Sequence, residues 1–165
     1  LTACFFASKF PAAAIITIEP DTDNYNLLQL NCKAYANIQT LQCGIWKNDT
    51  HLKIENTHAG NNAFTVIQTK EAGADTIKAL TVLSVMEQFN MPHIDVLKLD
   101  IEGSEKEVFE EKKKKWLPLT KVLIIELHDE MKKGCSRAVF NAINKYDFSF
   151  DTKGENIIFT NNAFK

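Results

Sequence analysis

Short runs of apolar, mostly β-branched residues alternate along this chain with runs in which apolar residues recur at helical spacing. Three of the apolar runs, at 14–19, 94–100 and 121–128, have the length of buried strands, and a helical pattern follows each of them. Such alternation is typical of an α/β fold in which helices cover both faces of a mostly parallel sheet. Two short runs near the end, at 147–150 and 156–159, add an antiparallel hairpin to that sheet.

The remaining segments fit the same architecture. Pro11 ends a helix over residues 1–10, and Pro92 ends another helix that begins at Thr81. Three further strands are predicted from their β-forming residues and the turn residues that flank them, at 38–43, 51–56 and 63–70.

The size and composition of the chain fit one compact domain. Its 165 residues are 45% hydrophobic, which is enough to bury a sizeable core, so we predict a single domain over residues 1–165. The net charge of -2 argues against nucleic acid or an anionic membrane as a partner and favours a small molecule. Four cysteines follow no metal-binding spacing, and we interpret them as reduced thiols of a cytoplasmic protein: Cys4, Cys32, Cys43 and Cys135.

The first ten residues, LTACFFASKF, carry neither an initiator methionine nor a polar lead-in. Lys9 interrupts the apolar residues and no basic region precedes them, so a signal peptide is the weaker interpretation. We expect a helix that has been cut off from its preceding strand, and hence a domain truncated at its N-terminus.

Acidic residues close the three clearest strands. Glu19 ends the first, Asp100 ends the second, and Glu126 ends the third with His128 two positions later. Ligands of open α/β sheets bind at the carboxyl ends of the strands, so we expect these groups to line one edge of the sheet and form a site. Glu19 could accept both hydroxyls of a ribose, and a solvated acid at a helix cap explains it equally well.

Four further acids or cap residues follow the second strand, and some of them have a local explanation. Ser104 with Glu107 forms a capping-box pattern at the start of a helix. Glu105 and Glu107 fall in the first helical turn, where carboxylates favour the positive end of the helix dipole. Asp100 and Glu102 precede the helix, so they need another explanation.

Several motifs stand in a fixed order along the chain. They are IEPD with Asn24, Leu28 and Asn31 behind it, then VLKLDIEGSEKEVF, then LIIELH, and finally YDF and NIIF. Together they resemble the FkbM-type S-adenosylmethionine-dependent methyltransferases. The most specific element is K-L-D-I-E-G-x-E followed by the E-x-H strand, and the resemblance covers essentially the whole chain.

The resemblance implies a class I methyltransferase fold with a Rossmann-like sheet, and S-adenosylmethionine-dependent O-methylation of a hydroxyl on a sugar or other natural product. It implies that Glu19 holds the ribose of the cofactor and that Asp100 contributes to the cofactor site. Cys43 and Gly44 lie where such folds place the adenine, although a buried thiol and a plain turn explain these two residues as well.

One part of the family pattern is not found in the chain. The first strand and its loop, of the type D-x-G-A-N-x-G, would precede the helix at 1–10. We therefore expect the chain as written to bind the cofactor weakly or not at all. We also expect a gap in the sheet that a strand from another copy could fill, which would make a homo-oligomer.

The chemistry that such a site must supply is modest, because the sulfonium is already an activated methyl donor and the protein mainly aligns the acceptor oxygen. His128 has a suitable intrinsic pKa for a base, and Asp100 or Glu126 could orient it or take the proton. Glu126 and His128 could also simply leave the sheet into solvent. Asp100, Glu102 and His128 could instead bind a divalent cation, but Glu102 could equally serve only the turn, so we expect no resident metal.

Two other classes of function stay open at this stage. A nicotinamide-dependent oxidoreductase could share Glu19 on a Rossmann sheet, but its phosphate-binding glycines are absent from the sequence. A non-catalytic domain that keeps the fold and acts only in binding or assembly is the other alternative.

Overall fold

The computed structural model describes residues 2–55, 65–69, 72–73, 75–110 and 114–164. Five α-helices lie in these residues: α1 Thr2–Lys9, α2 Thr22–Cys32, α3 Val82–Gln88, α4 Glu105–Glu110 and α5 Cys135–Ile143. The strands of the same residues are β1 Ile15–Ile18, β2 Ile38–Leu41, β3 Gly44–Ile45, β4 Thr50–Glu55, β5 Thr65–Thr69, β6 Thr76–Leu80, β7 Ile94–Leu99, β8 Thr120–Glu126, β9 Phe148–Lys153 and β10 Asn156–Asn161.

The chain divides into two compact units. The first comprises Leu1–Gly44, Thr50–Glu55 and Val66–Ala79, and the second comprises the remainder. The prediction of a single domain over residues 1–165 stays a prediction.

In the first unit, β1 and β2 form a parallel pair against which α1 and α2 pack. The register runs from Ile15 opposite Ile38 to Ile18 opposite Leu41. The helix after β1 begins at an aspartate, as its sequence predicts. The carboxylate of Asp21 accepts the N–H of Asn24 at 2.9 Å, which satisfies one of the free donors of the first turn of α2.

A second sheet has the strand order β3-β6-β4-β5, in which β4 and β6 are antiparallel. Strands β4 and β5 fall where the sequence predicts them, whereas β6 was missed. The residues of β6, TIKAL, begin with two β-branched residues, contain a central lysine and end in alanine and leucine. Sequence reasoning assigned them to no strand. The predicted turn at 57–62 lies outside the described residues.

In the second unit, four strands form a mixed sheet of order β7-β8-β10-β9. Strands β7 and β8 are parallel, and β10 is antiparallel to both of its neighbours. The predicted C-terminal hairpin, β9 to β10, is confirmed.

The core of the second unit lies where this sheet meets its helices. Leu99, Leu123 and Phe159 contribute from the strands, and Trp116 from the segment before β8. The helices supply further buried residues: Val82 and Met86 from α3, Val108 and Phe109 from α4, and Val139, Ala142 and Ile143 from α5.

The α/β class is confirmed, but the single, mostly parallel sheet is confirmed only in part. The described strands form three sheets, and two of the pairs, β1–β2 and β7–β8, are parallel. The other registered pairs, β8–β10, β9–β10 and β4–β6, are antiparallel. A short turn joins β9 to β10, and such a turn allows only antiparallel pairing.

Two smaller expectations concern the cysteines and membranes. The four cysteines, all in the described residues, form no disulfide, and Cys43 and Cys135 are fully buried. Within the described ranges, none of the helices combines the length and the apolar character needed to cross a bilayer.

Candidate active site

The parallel pairing of β7 with β8 brings two acids together. Leu99 at the end of β7 lies opposite Ile125 in β8. The next residues are Asp100 and Glu126, so both carboxylates emerge at the carboxyl end of neighbouring strands. His128 follows two positions later. The predicted grouping of Asp100, Glu126 and His128 is therefore present in the structure.

The imidazole of His128 is the buried centre of this group. Its side chain is 8% exposed, against 26% for Glu126 and 42% for Asp100. The Nε2 atom lies 3.9 Å from Asp100 Oδ1, 3.8 Å from Glu126 Oε1 and 3.9 Å from Glu102 Oε2. One of our alternatives placed His128 in solvent beyond the end of the sheet, and the buried ring contradicts it. One edge of the ring instead faces three carboxylates.

A fourth carboxylate holds the opposite edge of the ring. Glu105 is fully buried, and its Oε1 lies 2.8 Å from His128 Nδ1. Its second oxygen, Oε2, is buried without a hydrogen-bond partner among the described residues. Glu105 thus fixes the orientation of the imidazole and turns Nε2 towards the acids.

Sequence reasoning missed this role of Glu105, because we assigned the residue to the helix dipole. A signal for it does exist in the sequence. Val108 and Phe109 follow Glu105 by three and four positions, and helical spacing places all three on one face. Both apolar residues are buried, so the acid is buried with them.

The turn between β7 and α4 sets the positions of these acids. Glu102 and Gly103 have φ angles of 50° and 88°, in the left-handed region. Glycine adopts that region freely, whereas a glutamate there is strained. A Cβ atom on Gly103 would lie 3.3 Å from Lys132 Cβ, so the turn also needs the space that glycine leaves. The strained backbone directs the Glu102 carboxylate to the ring.

The segment after His128 is held by its own hydrogen bonds. The carbonyl of His128 accepts the N–H groups of Met131 and Lys132 at 3.1 and 2.9 Å. The Asp129 carboxylate accepts the N–H of Gly134 at 2.9 Å and that of Ser136 at 2.8 Å, at the start of α5. These bonds fix the backbone on which the imidazole is carried.

Two neighbouring groups complete the surroundings. Lys98 Nζ donates to Asp100 Oδ2 at 3.0 Å, which leaves Oδ1 facing His128. The thiol of Cys135 donates to the carbonyl of Gly103 at 3.5 Å, and burial raises the pKa of this thiol to about 11.

The pKa values of the cluster reflect its crowding. Burial alone lowers the pKa of His128, but the hydrogen bond and charge of Glu105, with the charges of Glu102 and Glu126, raise it above its ordinary value. The pKa of Glu126 is also raised, first by loss of water around it and then by the charge of Asp100. Negative charge is therefore concentrated around one imidazole.

The other predicted site residues lie in the first unit. Glu19 follows β1 directly, and its Oε1 accepts the N–H of Asp21 at 2.9 Å. Cys43 is fully buried. Gly44 begins β3, and a Cβ atom there would lie 3.7 Å from Leu52 Cδ1, an ordinary contact distance. Strand β1 and the cluster belong to different sheets, so the shared edge for Glu19, Asp100 and Glu126 stays a prediction.

Comparison with known proteins gives this cluster a family context. A family model described as the methyltransferase FkbM domain matches residues 1–151. The chain belongs to the FkbM methyltransferase family. No curated protein sequence matches it.

A solved structure supports the fold of this FkbM-family chain. The present chain is similar to the crystal structure of methyltransferase FkbM from Methylobacillus flagellatus KT, with a TM-score of 0.59 and 16% sequence identity. The match covers 96% of the present chain and 40% of the solved one. The chain therefore spans less than half of that protein's length.

Proposed function

We propose that the protein carrying this chain transfers a methyl group from S-adenosylmethionine to a hydroxyl oxygen of a small molecule, such as a sugar or another natural product. The family match supports methyl transfer. The observation that carries the proposal is the cluster of Asp100, Glu126 and His128 at the ends of two adjacent parallel strands, with the imidazole fixed by Glu105.

The residues at the end of β1 fit the ribose of the cofactor. The hydrogen bond from Asp21 N–H holds the Glu19 carboxylate at the carboxyl end of a parallel strand. An acid in this position accepts ribose hydroxyls in dinucleotide-binding sheets. We assign Glu19 to the ribose, Cys43 and Gly44 to the adenine surroundings, and Asp100 to both cofactor and acceptor.

The cluster supplies what an oxygen acceptor needs. S-adenosylmethionine, when bound, brings a methyl group on a positively charged sulfur. Transfer of that methyl group to a hydroxyl oxygen would release the hydroxyl proton, which the cluster would have to accept. Asp100, Glu126 and His128 would align the hydroxyl and take up that proton, because their carboxylate and imidazole atoms lie within 4.8 Å of one another.

The rival functions receive less support. The family match favours methyl transfer over nicotinamide-dependent hydride transfer. A non-catalytic domain would need no buried Glu105 beneath His128 and no strained Glu102. Cytoplasmic location remains a proposal, which four cysteines outside disulfides support. A homo-oligomer remains a prediction.

The test is methyl transfer from radiolabelled S-adenosylmethionine to a panel of sugar and polyketide hydroxyls by the protein and its Asp100→Asn variant. We expect turnover to fall roughly tenfold or more in the variant. Asp95→Asn is the matched control, because Asp95 lies on the same strand and its side chain is 71% exposed.

Two results would contradict the proposal. One is full activity in Asp100→Asn. The other is a titration calorimetry experiment in which the protein that carries this chain shows no affinity for S-adenosylmethionine.

A further inference from the structure

We propose that Asp100, Glu126 and His128 form a binding site for a divalent metal ion, with one oxygen from each carboxylate and Nε2 of the imidazole as ligands. The three ligand atoms lie within 4.8 Å of one another. This differs from the sequence expectation in two ways. We expected no resident metal, and we grouped Glu102 rather than Glu126 with the other two residues.

The two separations measured from the imidazole suit a common central ion. Nitrogen and oxygen ligands lie about 2.0–2.2 Å from zinc and similar ions, so two ligands of one ion are at most about 4.4 Å apart. The distances from His128 Nε2 to Asp100 Oδ1 and Glu126 Oε1 are 3.9 and 3.8 Å. These pairs are too long for hydrogen bonds and within the span of one ion.

The state of the imidazole points to a ligand. The His128 side chain is 92% buried, since 8% of it is exposed, and Nδ1 is engaged by the buried Glu105. Because a carboxylate accepts at Nδ1, the ring that has lost one proton keeps the other there, and Nε2 then carries the lone pair. Nε2 faces the carboxylates of Asp100, Glu102 and Glu126 at 3.8–3.9 Å, which is longer than a hydrogen bond. Metal-binding histidines are held by a carboxylate in this way.

The charge of the site also favours a cation. Four carboxylates surround the ring, those of Asp100, Glu102, Glu105 and Glu126. Lys98 is bonded to the outer oxygen of Asp100 and offsets one charge. The carboxylates of Asp100 and Glu126 lie 3.9 and 3.8 Å from the same nitrogen, so their negative charges repel each other, and a doubly charged ion would relieve that repulsion.

The ligand types restrict the choice of ion. Two carboxylates with one imidazole suit manganese, iron, cobalt or zinc better than calcium, which prefers an all-oxygen shell. Three protein ligands leave positions open for another oxygen. On the proposed function, that oxygen would be the acceptor hydroxyl, whose pKa a metal ion lowers. His128 would then act through the ion as a ligand, and a carboxylate would take the proton.

The experiment is a titration of the metal-free protein with Mn²⁺, followed by electron paramagnetic resonance in the absence of S-adenosylmethionine. We expect saturable binding of a single ion per chain. Asp100→Asn and Glu126→Gln should each weaken affinity roughly tenfold or more, and Glu105→Gln should weaken it by about 10–100-fold through the imidazole. Asp95→Asn should leave it unchanged, because Asp95 is an exposed acid beside another histidine, His93.

Circular dichroism of each variant separates lost binding from lost folding, and the exposed position of Asp100 makes its variant the safest to interpret. Absence of saturable Mn²⁺ binding below about 1 mM would overturn the proposal. Binding that neither Asp100→Asn nor Glu126→Gln weakens would overturn it as well.

The outcome is separable from that of the methyl-transfer assay. Mn²⁺ binding without any methyl transfer would contradict the proposed function and support the metal site. Methyl transfer by a protein that binds no Mn²⁺ would support the function and contradict the metal site.

Discussion

At the scale of single residues, Glu105 does most to organise the site. It is fully buried, one oxygen contacts His128 Nδ1 at 2.8 Å, and the other has no hydrogen-bond partner in the described ranges. A buried carboxylate in this state is costly unless a positive charge compensates it. Glu105 and His128 therefore stabilise each other. Replacing Glu105 should change both the pKa of His128 and the free energy of unfolding.

The first prediction concerns the protonation of His128. Glu105→Gln removes the negative charge beside Nδ1 and keeps the size of the side chain, so the pKa of His128 should fall. Nuclear magnetic resonance titration of the imidazole, with a chelator present, measures the change. Glu110→Gln, an exposed acid in the same helix, should leave it unaltered. An unaltered His128 pKa in Glu105→Gln would show that the contact does not set its charge.

The second prediction concerns stability and pH. The pKa of His128 is raised in the folded protein, so the stabilisation from its protonation is fully present below its unfolded value of about 6.5 and is lost as pH rises through the folded value. Glu105→Gln removes a hydrogen bond to a charged group, which costs about 1.5–3 kcal/mol at low pH. Urea unfolding at pH 6 and pH 9 should show a smaller cost at pH 9. If Glu105→Gln instead lost more unfolding free energy at pH 9 than at pH 6, the stabilisation would not come from protonated His128.

At the scale of elements, two connections place the site, the turn from β7 into α4 and the loop from β8 into α5. Asp129 holds the second connection through the N–H groups of Gly134 and Ser136. Burial raises the pKa of Asp129, but these bonds lower it by more, so its net pKa is below the usual value. The loop therefore depends on an ionised carboxylate.

The third prediction tests this dependence. Asp129→Ala should lower the free energy of unfolding by about 1.5–3 kcal/mol near pH 7, because the N–H groups of Gly134 and Ser136 lose a charged acceptor. The depressed pKa gives a stabilisation that is present above the unfolded value of about 3.9 and is lost as pH falls through the folded value. Urea unfolding near pH 7, and again at a pH below the folded pKa of Asp129, measures this stabilisation. Glu130→Ala, a change at an exposed neighbour, serves as the control. An equal loss of unfolding free energy in both variants would contradict this role of Asp129.

At the scale of the molecule, the sequence predicted the proximity of Asp100, Glu126 and His128 better than it predicted the sheets. Asp100, Glu126 and His128 were found because the strands before them are apolar and parallel neighbours end together. Strand pairing was harder, since the pattern of β4 or β10 does not state which strand lies beside it. Glu105 was missed because its helical position supported a simple electrostatic explanation that did not require burial.

The fourth prediction concerns the core that joins the sheet and helices of the second unit. Phe159 is 1% exposed and contacts both Phe140 and Phe150. Phe159→Ala should cost about 3–5 kcal/mol in the free energy of unfolding. Phe150→Ala, on the paired strand and 64% exposed, should cost far less. Equal losses in urea unfolding would mean that the core does not centre on Phe159.

The buried thiol of Cys135 offers a way to watch the turn beside the site. With a pKa of about 11, only about one thiol in ten thousand is ionised at pH 7, so alkylating reagents should leave it untouched while the turn is closed. Its bond to the Gly103 carbonyl breaks when the turn opens. The rate at which iodoacetamide labels Cys135 thus reports how often the turn opens. A metal ion or cofactor that holds the turn closed should lower this labelling rate.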